Sequence, residues 1–307
     1  YLSLEEDKFQ KIVCAYLAEY AVKYFGEEQL ESNSFTYRLK TILDNVMYLM
    51  KHIMEELSQS EFFVADCELK IGEDIPSYTI ALPDGHKIAV CGSVDRVDIM
   101  QRADITYLRI IDYKTGTKQF KLSDILYGIN LQMLLYLHSI EASGGDKYGD
   151  IVPAGILYMP ATVPYISSDS LKSIDKLPDE LNKKLKMNGL LLKDTEIIHG
   201  MDKTDAATYI PVKIKAGEPV SSTSLATLAE FGKIFKKVDM LIAEMGKNIY
   251  NGNIEAKPLK GGHDSCEYCP YDSVCAYRQS NPITCFSVDN KTVIEEITNE
   301  INGKEEE

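Results

Sequence analysis

Two carboxylates and a lysine lie where predicted strands end, and these residue types could support metal-dependent chemistry. Leu108, Ile110, Asp112 and Lys114 share one face of a strand, because residues i and i+2 point the same way. A buried carboxylate beside an ammonium is costly to desolvate unless both charges are compensated, and a hard cation with oxygen ligands provides this. The alternative is an Asp–Lys pair in solvent at a fraying strand end.

A second acidic residue, Asp95, is expected to face Asp112. The segment 91–99 alternates as a strand does, and the short connection to the strand over 107–114 predicts an antiparallel hairpin. Adjacent strand ends would then present both carboxylates and Lys114 together.

Further strands are predicted around this hairpin. The segment 62–71 has Glu68 on its polar face, 78–90 predicts a hairpin around an Asp-Gly turn, and 152–159 predicts another strand. Together with helical segments, these elements indicate an α+β fold.

A buried helix is predicted from Ser123, as its N-cap, to about Ile140, because this segment is apolar almost all round. Gln132 and Tyr136 lie four residues apart on one side of it. They either contribute to the site, for example by positioning the lysine, or are hydrogen-bonded to backbone groups inside the protein. Another long helix is expected over 222–246.

The cysteines suggest a second site. Cys266, Cys269 and Cys275 form a C-x2-C-x5-C pattern, which suits thiolates around zinc or an iron–sulfur cluster, and composition does not choose between them. Cys67 and Cys91 fall on predicted strands and are interpreted as small buried apolar residues.

These segments carry a family resemblance. Residues 92–98, 107–116 and 127–136 resemble the successive motifs of the RecB-like branch of the PD-(D/E)XK nucleases, in particular the nuclease domains of AddB-type helicase–nuclease subunits. The resemblance ends at the cysteine pattern and covers about residues 35–280. It implies an α+β restriction-endonuclease-like core, a central mixed sheet flanked by helices, with helical N-terminal and C-terminal additions.

Three parts of the chain are expected. Residues 1–60 form a helical N-terminal segment, 61–280 form the nuclease domain ending in the cysteine motif, and 281–307 form an acidic, flexible tail. The tail is interpreted as a solvated or weakly helical extension.

The resemblance also implies roles for particular residues. The metal-binding acids are Glu68, Asp95 and Asp112, the catalytic lysine is Lys114, and Gln132 and Tyr136 match a Gln-x-x-x-Tyr helix motif. One or two Mg2+ ions would lower the pKa of a bound water and polarise the scissile phosphate.

The resemblance further implies that Cys266, Cys269 and Cys275, together with an upstream cysteine, hold a [4Fe-4S] cluster. That cysteine and an upstream metal-binding histidine are not evident, because Cys14 and His52 lack the expected surroundings. We therefore expect a fragment cut downstream of both ligands, with an incomplete cluster site.

The implied activity is that of a Mg2+-dependent exodeoxyribonuclease or endonuclease domain that hydrolyses single-stranded DNA during double-strand break processing and recombinational repair. Its partner would be an AddA-type helicase–nuclease subunit in a heterodimer, in the cytoplasm. The alternative is a catalytically inactive nuclease fold with a structural or DNA-guiding role in the same complex, since a fold alone does not imply activity.

Bulk properties limit the other possibilities. The net charge of −14 opposes global attraction to DNA phosphates, although residues 289–307 hold seven acidic residues and two lysines. The remaining negative charge must be offset by a local basic groove, which could include Lys118 and Lys121, or by partner subunits. An odd number of cysteines argues against a secreted disulfide scaffold, no apolar stretch is long enough to span a membrane, and no G-x-x-x-x-G-K-[ST] loop indicates ATP hydrolysis.

Overall fold

The computed structural model describes residues 6–82, 84–116, 118–163, 177–221, 223–271, 274–275, 277 and 282–305. The α-helices in these ranges are α1 (Glu6–Phe25), α2 (Glu27–Leu30), α3 (Asn33–Ser58), α4 (Gln132–Ser143), α5 (Gly145–Tyr148), α6 (Leu177–Leu185), α7 (Thr195–Met201), α8 (Leu228–Tyr250) and α9 (Asn290–Glu305). The strands are β1 (Phe63–Ile71), β2 (Tyr78–Ala81), β3 (Lys87–Val90), β4 (Gly92–Arg102), β5 (Ile105–Lys114), β6 (Asp150–Pro160), β7 (Asn188–Leu192), β8 (Lys213–Lys215), β9 (Glu218–Val220), β10 (Leu225–Ala226), β11 (Leu259–Gly261) and β12 (Ile283–Cys285).

A mixed sheet forms the centre of the described part of the chain. Its strand order is β1-β4-β5-β6-β7-β10, with β5 and β6 parallel and β1, β4 and β5 antiparallel. Helices pack against this sheet, so the expected α+β architecture with a central mixed sheet is confirmed. The pairs β2–β3, β8–β9 and β11–β12 form separate ribbons.

The central hairpin has the predicted form. Arg102 pairs with Ile105, so β4 and β5 are joined by a tight turn, and the register runs to the pair Arg96–Ile111 at the other end. Each strand therefore carries its polar residues to the same end of the sheet. The predicted hairpin over 78–90 is also present as β2 and β3, although Pro83 in its turn lies outside the described residues.

The single helix predicted from Ser123 is wrong. Leu122–Tyr127 forms a short 3-10 helix in which Ser123 is buried, and α4 begins later. The break has a backbone cause, because Gly128 and Asn130 both have positive φ values, of 68° and 55°, which an α-helix does not accept. The Asn130 side chain donates to Asp124 Oδ2 at 2.7 Å and fixes this turn.

Helix α4 still covers the sheet as expected. It packs against β5 and β6, and its buried residues include Met133, Leu134, Leu137 and Ile140. Helix α8 begins at Leu228, not near 222, because Thr227 and Glu230 form a reciprocal capping box; Ser222 lies outside the described residues.

The segment expected to be a solvated or weakly helical extension contains α9. Val293, Ile297 and Ile301 are buried on this helix, which packs against α8. Lys237 of α8 forms an ion pair with Glu300. The alternating Ile and Glu residues thus give α9 one apolar side that joins the core.

Two smaller features complete the fold. Cys67 and Cys91 are exposed, so their interpretation as buried apolar residues is wrong. None of the helices in the described ranges is long and apolar enough to cross a membrane.

Candidate active site

The end of β5 carries the buried acid and the lysine. Asp112 is 8% exposed, and its carboxylate forms an ion pair with the Lys114 ammonium. The oxygen in this ion pair is Asp112 Oδ2, which makes no hydrogen bond of acceptable geometry within the described residues. The pair is therefore largely enclosed, unlike an Asp–Lys pair in solvent.

Asp95 lies at the same end of the neighbouring strand. It comes one step beyond the pair Arg96–Ile111, and its Oδ2 atom accepts a hydrogen bond from the Tyr113 backbone N–H at 2.9 Å. This bond fixes the Asp95 carboxylate next to the segment that holds Asp112 and Lys114.

Glu68 lies where the ladder between β1 and β4 is interrupted. The pairs Cys67–Arg96 and Leu69–Val94 leave Glu68 unpaired between them, and its φ is 54°. Left-handed backbone is costly for a residue with a Cβ. The Glu68 carboxylate accepts a hydrogen bond from the Ser93 hydroxyl at 3.1 Å. The irregular backbone thus directs this acid toward the β4 segment that leads to Asp95.

Gln132 and Tyr136 lie in the first turns of α4. The Gln132 side chain donates to the Tyr136 hydroxyl at 3.5 Å, a weak bond, and Gln132 is exposed. A Cβ added to Gly92 would collide with that hydroxyl, so Tyr136 packs directly on the start of β4. The absence of a side chain at Gly92 is what allows this approach.

Tyr158 lies near the site, although no sequence pattern indicated it. It pairs with Asp112 across β5 and β6, and the Lys114 and Lys118 ammonium groups lie 5.4 and 5.2 Å from its ring centroid. Burial and the nearby Asp112 carboxylate raise the pKa of Tyr158 to about 12. Burial and repulsion from Lys114 lower the pKa of Lys118. Only the register with β6 brings these groups together, which is why local spacing gave no signal.

A buried ionic cluster, also not expected from the sequence, lies on the alternate face of the hairpin. Arg96 and Arg109 each contact both Glu56 of α3 and Asp98, with distances from 2.6 to 3.0 Å. Burial alone would raise the pKa of Asp98, but Arg109 and Arg96 hold it below its ordinary value. Arginines inside apolar strand segments were the available signal, because a buried charge requires a partner.

The donor atoms at the β4 and β5 ends suit a hard cation. Mg2+ is commonly bound through one or two carboxylates and several waters, and Asp95 and Asp112 provide two. Asp112 Oδ2 already contacts the Lys114 ammonium, so a cation bound through this atom would share it with Lys114. Among the described residues, no group of three or more His, Cys, Asp or Glu side chains is arranged to hold a metal, so Glu68 does not complete a three-acid site in this geometry.

The cysteine pattern is not gathered around a common centre. Cys266 and Cys269 are partly buried and Cys275 is exposed, and within the described ranges these thiols form no group that could hold a metal. Cys285 is buried on β12, and burial raises the pKa of its thiol. The arrangement of these residues does not fit an iron–sulfur cluster.

Comparison with known proteins is consistent with this geometry. The sequence profile of the PD-(D/E)XK nuclease superfamily matches residues 4–276. Curated relatives named as subunits of an ATP-dependent helicase/deoxyribonuclease include one from a Thermoanaerobacter species, 39% identical over 78% of this chain and 21% of the relative. Others come from Alkaliphilus oremlandii, 35% identical over 86% of this chain and 24% of the relative, and Clostridium kluyveri, 36% identical over 89% and 24%. The chain thus spans about a quarter or less of the length of these relatives.

Proposed function

This chain belongs to the PD-(D/E)XK nuclease superfamily, and we propose that it is a Mg2+-dependent deoxyribonuclease domain. Its substrate is single-stranded DNA, and its site consists of Asp95, Asp112 and Lys114, with Glu68, Gln132 and Tyr136 around it. The observation that carries the proposal is the enclosed Asp112–Lys114 pair beside the fixed Asp95 carboxylate.

The reaction is hydrolysis of a phosphodiester. A bond forms between a water oxygen and phosphorus while the bond to the leaving sugar oxygen breaks; the water loses a proton and the leaving oxygen gains one. Asp95 and Asp112 would hold a Mg2+ ion, which when bound would lower the pKa of the attacking water and compensate phosphate charge.

The chain's own groups prepare the site for this step. The Tyr113 N–H fixes the orientation of Asp95, so little reorganisation is needed when a substrate binds. The Lys114 ammonium, already beside Asp112, stabilises the negative charge that develops on the phosphate oxygens in the transition state. Tyr136, packed on Gly92, limits the space beside the start of β4.

The wider assignment follows the names of the relatives. They are named as subunits of an ATP-dependent helicase/deoxyribonuclease, so we propose that this domain acts with an AddA-type helicase–nuclease subunit in processing DNA ends. That Cys266, Cys269 and Cys275 supply part of a [4Fe-4S] cluster in a longer protein, with the cluster incomplete in this chain, stays a prediction from the resemblance.

The proposal is tested with Asp112→Asn. This substitution keeps the side-chain volume and removes the charge, so Mg2+-dependent cleavage of a single-stranded oligonucleotide should fall by a factor of about 100 or more, the scale of a lost transition-state interaction. Lys114→Ala should lose activity similarly. The measurement is cleavage by gel electrophoresis with Mg2+ and with EDTA.

Asp104→Asn is the matched control, because Asp104 is exposed in the turn at the opposite end of β5. It should cleave as the unmodified chain does. Cleavage at the original rate in Asp112→Asn would refute the assigned site. A chain that binds DNA but never cleaves it, with or without Mg2+, would instead support the inactive DNA-guiding module.

A further inference from the structure

Six lysines line two adjoining cavities beside the candidate active site. One cavity, of about 540 Å3, is lined in part by Lys118, Lys183, Lys184 and Lys186. The other, of about 760 Å3, is lined in part by Lys183, Lys186, Lys213 and Lys215. Lys183 and Lys186 line both cavities, so the cavities adjoin. Together we call them the lysine groove.

The charge of the lysine groove contrasts with that of the whole chain. None of the described residues that line either cavity is Asp or Glu, whereas the chain carries 47 acidic residues and 33 Lys and Arg. A concave surface with charge of one sign concentrates the electrostatic potential and attracts ions of the opposite sign. The lysine groove is therefore suited to a polyanion.

The lysine groove begins at the candidate active site. Thr115 and Gly116 follow Lys114 directly and line the first cavity. Lys114 and Lys118 lie over the same Tyr158 ring. A phosphate next to Lys114 is thus close to the first lysine of the groove.

Hydrogen bonds give this end of the groove a fixed shape. Asn188 of β7 donates to the Lys118 carbonyl at 3.1 Å and accepts from the Phe120 N–H at 2.7 Å. The Thr162 hydroxyl donates to the Thr115 carbonyl at 3.2 Å. The segments after β5 and β6 are therefore tied to the sheet and to each other.

The far end of the groove is also anchored. The Lys186 ammonium donates to the Ala207 and Val212 carbonyls at 2.7 and 3.0 Å, which ties the chain before β8 to the groove. Lys213 and Lys215 lie on the same face of β8, because they are two residues apart in a strand. They line only the second cavity, whereas Thr115 and Gly116, which follow Lys114, line only the first.

We propose that the lysine groove binds the sugar–phosphate backbone of a single nucleic-acid strand that extends from the active site, without reading its sequence. The inference deepens the proposed function and rests on it for the position of the reacting phosphate. Lysine binds phosphate as a point charge with three donors and no fixed geometry, so it suits a strand in variable conformations. Phosphate contacts position a strand and carry no sequence information.

The test is the double variant Lys213→Gln/Lys215→Gln, in the cavity that the residues directly after Lys114 do not line. Binding of fluorescent oligothymidylates of increasing length is measured by anisotropy in EDTA, across a series of salt concentrations. Each neutralised phosphate contributes about 0.7 to the slope of log affinity against log salt for single strands. The double variant should therefore bind more weakly and lose about 1.4 from that slope.

Lys247→Gln/Lys257→Gln is the matched control, with the same change of charge. Val220 lines the groove and also lines a neighbouring cavity together with Glu230 of α8, so the start of α8 is near the groove. Lys247 lies roughly 26 Å from Glu230 along the same helix. Lys257 lines neither cavity of the groove. The control should keep the original slope and affinity, and circular dichroism should show that both variants are folded.

Three results would overturn the inference. Equal losses in the two double variants would show an effect of total charge only. An unchanged slope in Lys213→Gln/Lys215→Gln would remove the groove from the strand's path. Displacement of the oligonucleotide by millimolar inorganic phosphate, with no dependence on strand length, would assign the cavities to a small anion.

The inference and the proposed function can fail separately. Binding is measured without Mg2+, so the groove result does not depend on cleavage. If the unmodified chain binds through the groove yet shows no Mg2+-dependent cleavage, the proposed function falls and the groove stands. If Asp112→Asn abolishes cleavage while the groove variant binds normally, the function stands and the groove falls.

Discussion

Glu68 combines an acidic side chain with a backbone conformation that acids rarely adopt. Its φ of 54° interrupts the β1–β4 ladder at the step nearest Asp95. Such conformations cost of order 1–3 kcal/mol and are frequent at functional sites. The strain at Glu68 is therefore a sign that its position matters for more than stability.

Glu68→Gly separates strain from function. Glycine adopts positive φ without a Cβ penalty, so the free energy of unfolding should be unchanged or raised by up to about 1 kcal/mol. Cleavage should nevertheless fall, because the carboxylate is gone. Urea unfolding and a cleavage assay measure the two effects on one variant.

Glu68→Gln is the companion variant. It keeps the strained backbone and the bond partner Ser93 but removes the charge, so its activity should fall without a gain in stability. Full activity in both variants would exclude Glu68 from the site.

A buried ionic cluster connects helix α3 to the β4–β5 hairpin, which carries the candidate site. The cluster consists of Glu56, Asp98, Arg96 and Arg109. All four residues are at most 2% exposed. Removing one partner from a buried ion pair is strongly destabilising, because it leaves a charge that water no longer solvates. The N-terminal helical segment is thus part of the support for β4 and β5.

Glu56→Gln should lower the free energy of unfolding by about 3 kcal/mol or more, since both arginines lose a charged partner. Urea denaturation followed by circular dichroism measures this change. Glu55→Gln, on the exposed side of the same helix, should change the value by less than about 0.5 kcal/mol. Similar values for the two variants would mean that the cluster does not stabilise the fold.

A second polar cluster joins β2, α4 and α8. His138 lies 3.2 Å from Asp239 and 3.3 Å from Glu141, its ring stacks on Phe235, and Tyr78 donates to Asp239 at 3.0 Å. Burial alone would lower the pKa of His138, but hydrogen bonds to Asp239 and Glu141 raise it to about 9. The protonated His138 side chain therefore stabilises the contact between α4 and α8.

The pH dependence follows from the sign of this shift. The pKa of His138 is higher in the folded chain than its ordinary value of 6.5, so the stabilisation is complete below pH 6.5 and is lost as the pH rises through about 9. His138→Gln should therefore show a smaller fall in the free energy of unfolding between pH 6.5 and about 9 than the unmodified chain. Urea unfolding at several pH values measures this fall. His86→Gln, which changes an exposed histidine, should show the same fall in the free energy of unfolding as the unmodified chain. If His138→Gln also shows the full fall, groups other than His138 cause it.

For the whole molecule, the distribution of charge matters more than its total. The chain is strongly acidic, yet six of its lysines line the lysine groove, which begins beside Asp112 and Lys114. The acidic C-terminal segment contributes structure as well as charge, because α9 buries Val293 and Ile297 against the core. Net charge therefore did not exclude a nucleic-acid-binding surface.

The family resemblance implied the mixed sheet, whereas the order of residues alone was enough to predict an α+β fold and the hairpin strands that carry Asp95, Asp112 and Lys114. These predictions succeed because the alternation of a strand is local: each residue's face is set by its neighbours two positions away. A backbone change that depends on particular residues, such as the turn at Gly128 and Asn130, was not visible in the apolar pattern of the surrounding segment.

The surroundings of those strand ends, in contrast, became visible only in the folded chain. Tyr158 faces Asp112 because β6 pairs in parallel with β5, and Glu56 reaches Arg109 from 53 residues away. The lysine groove likewise combines segments after β5, around α6 and in β8. Contacts between distant segments depend on strand register and packing, which the order of residues along the chain does not specify locally.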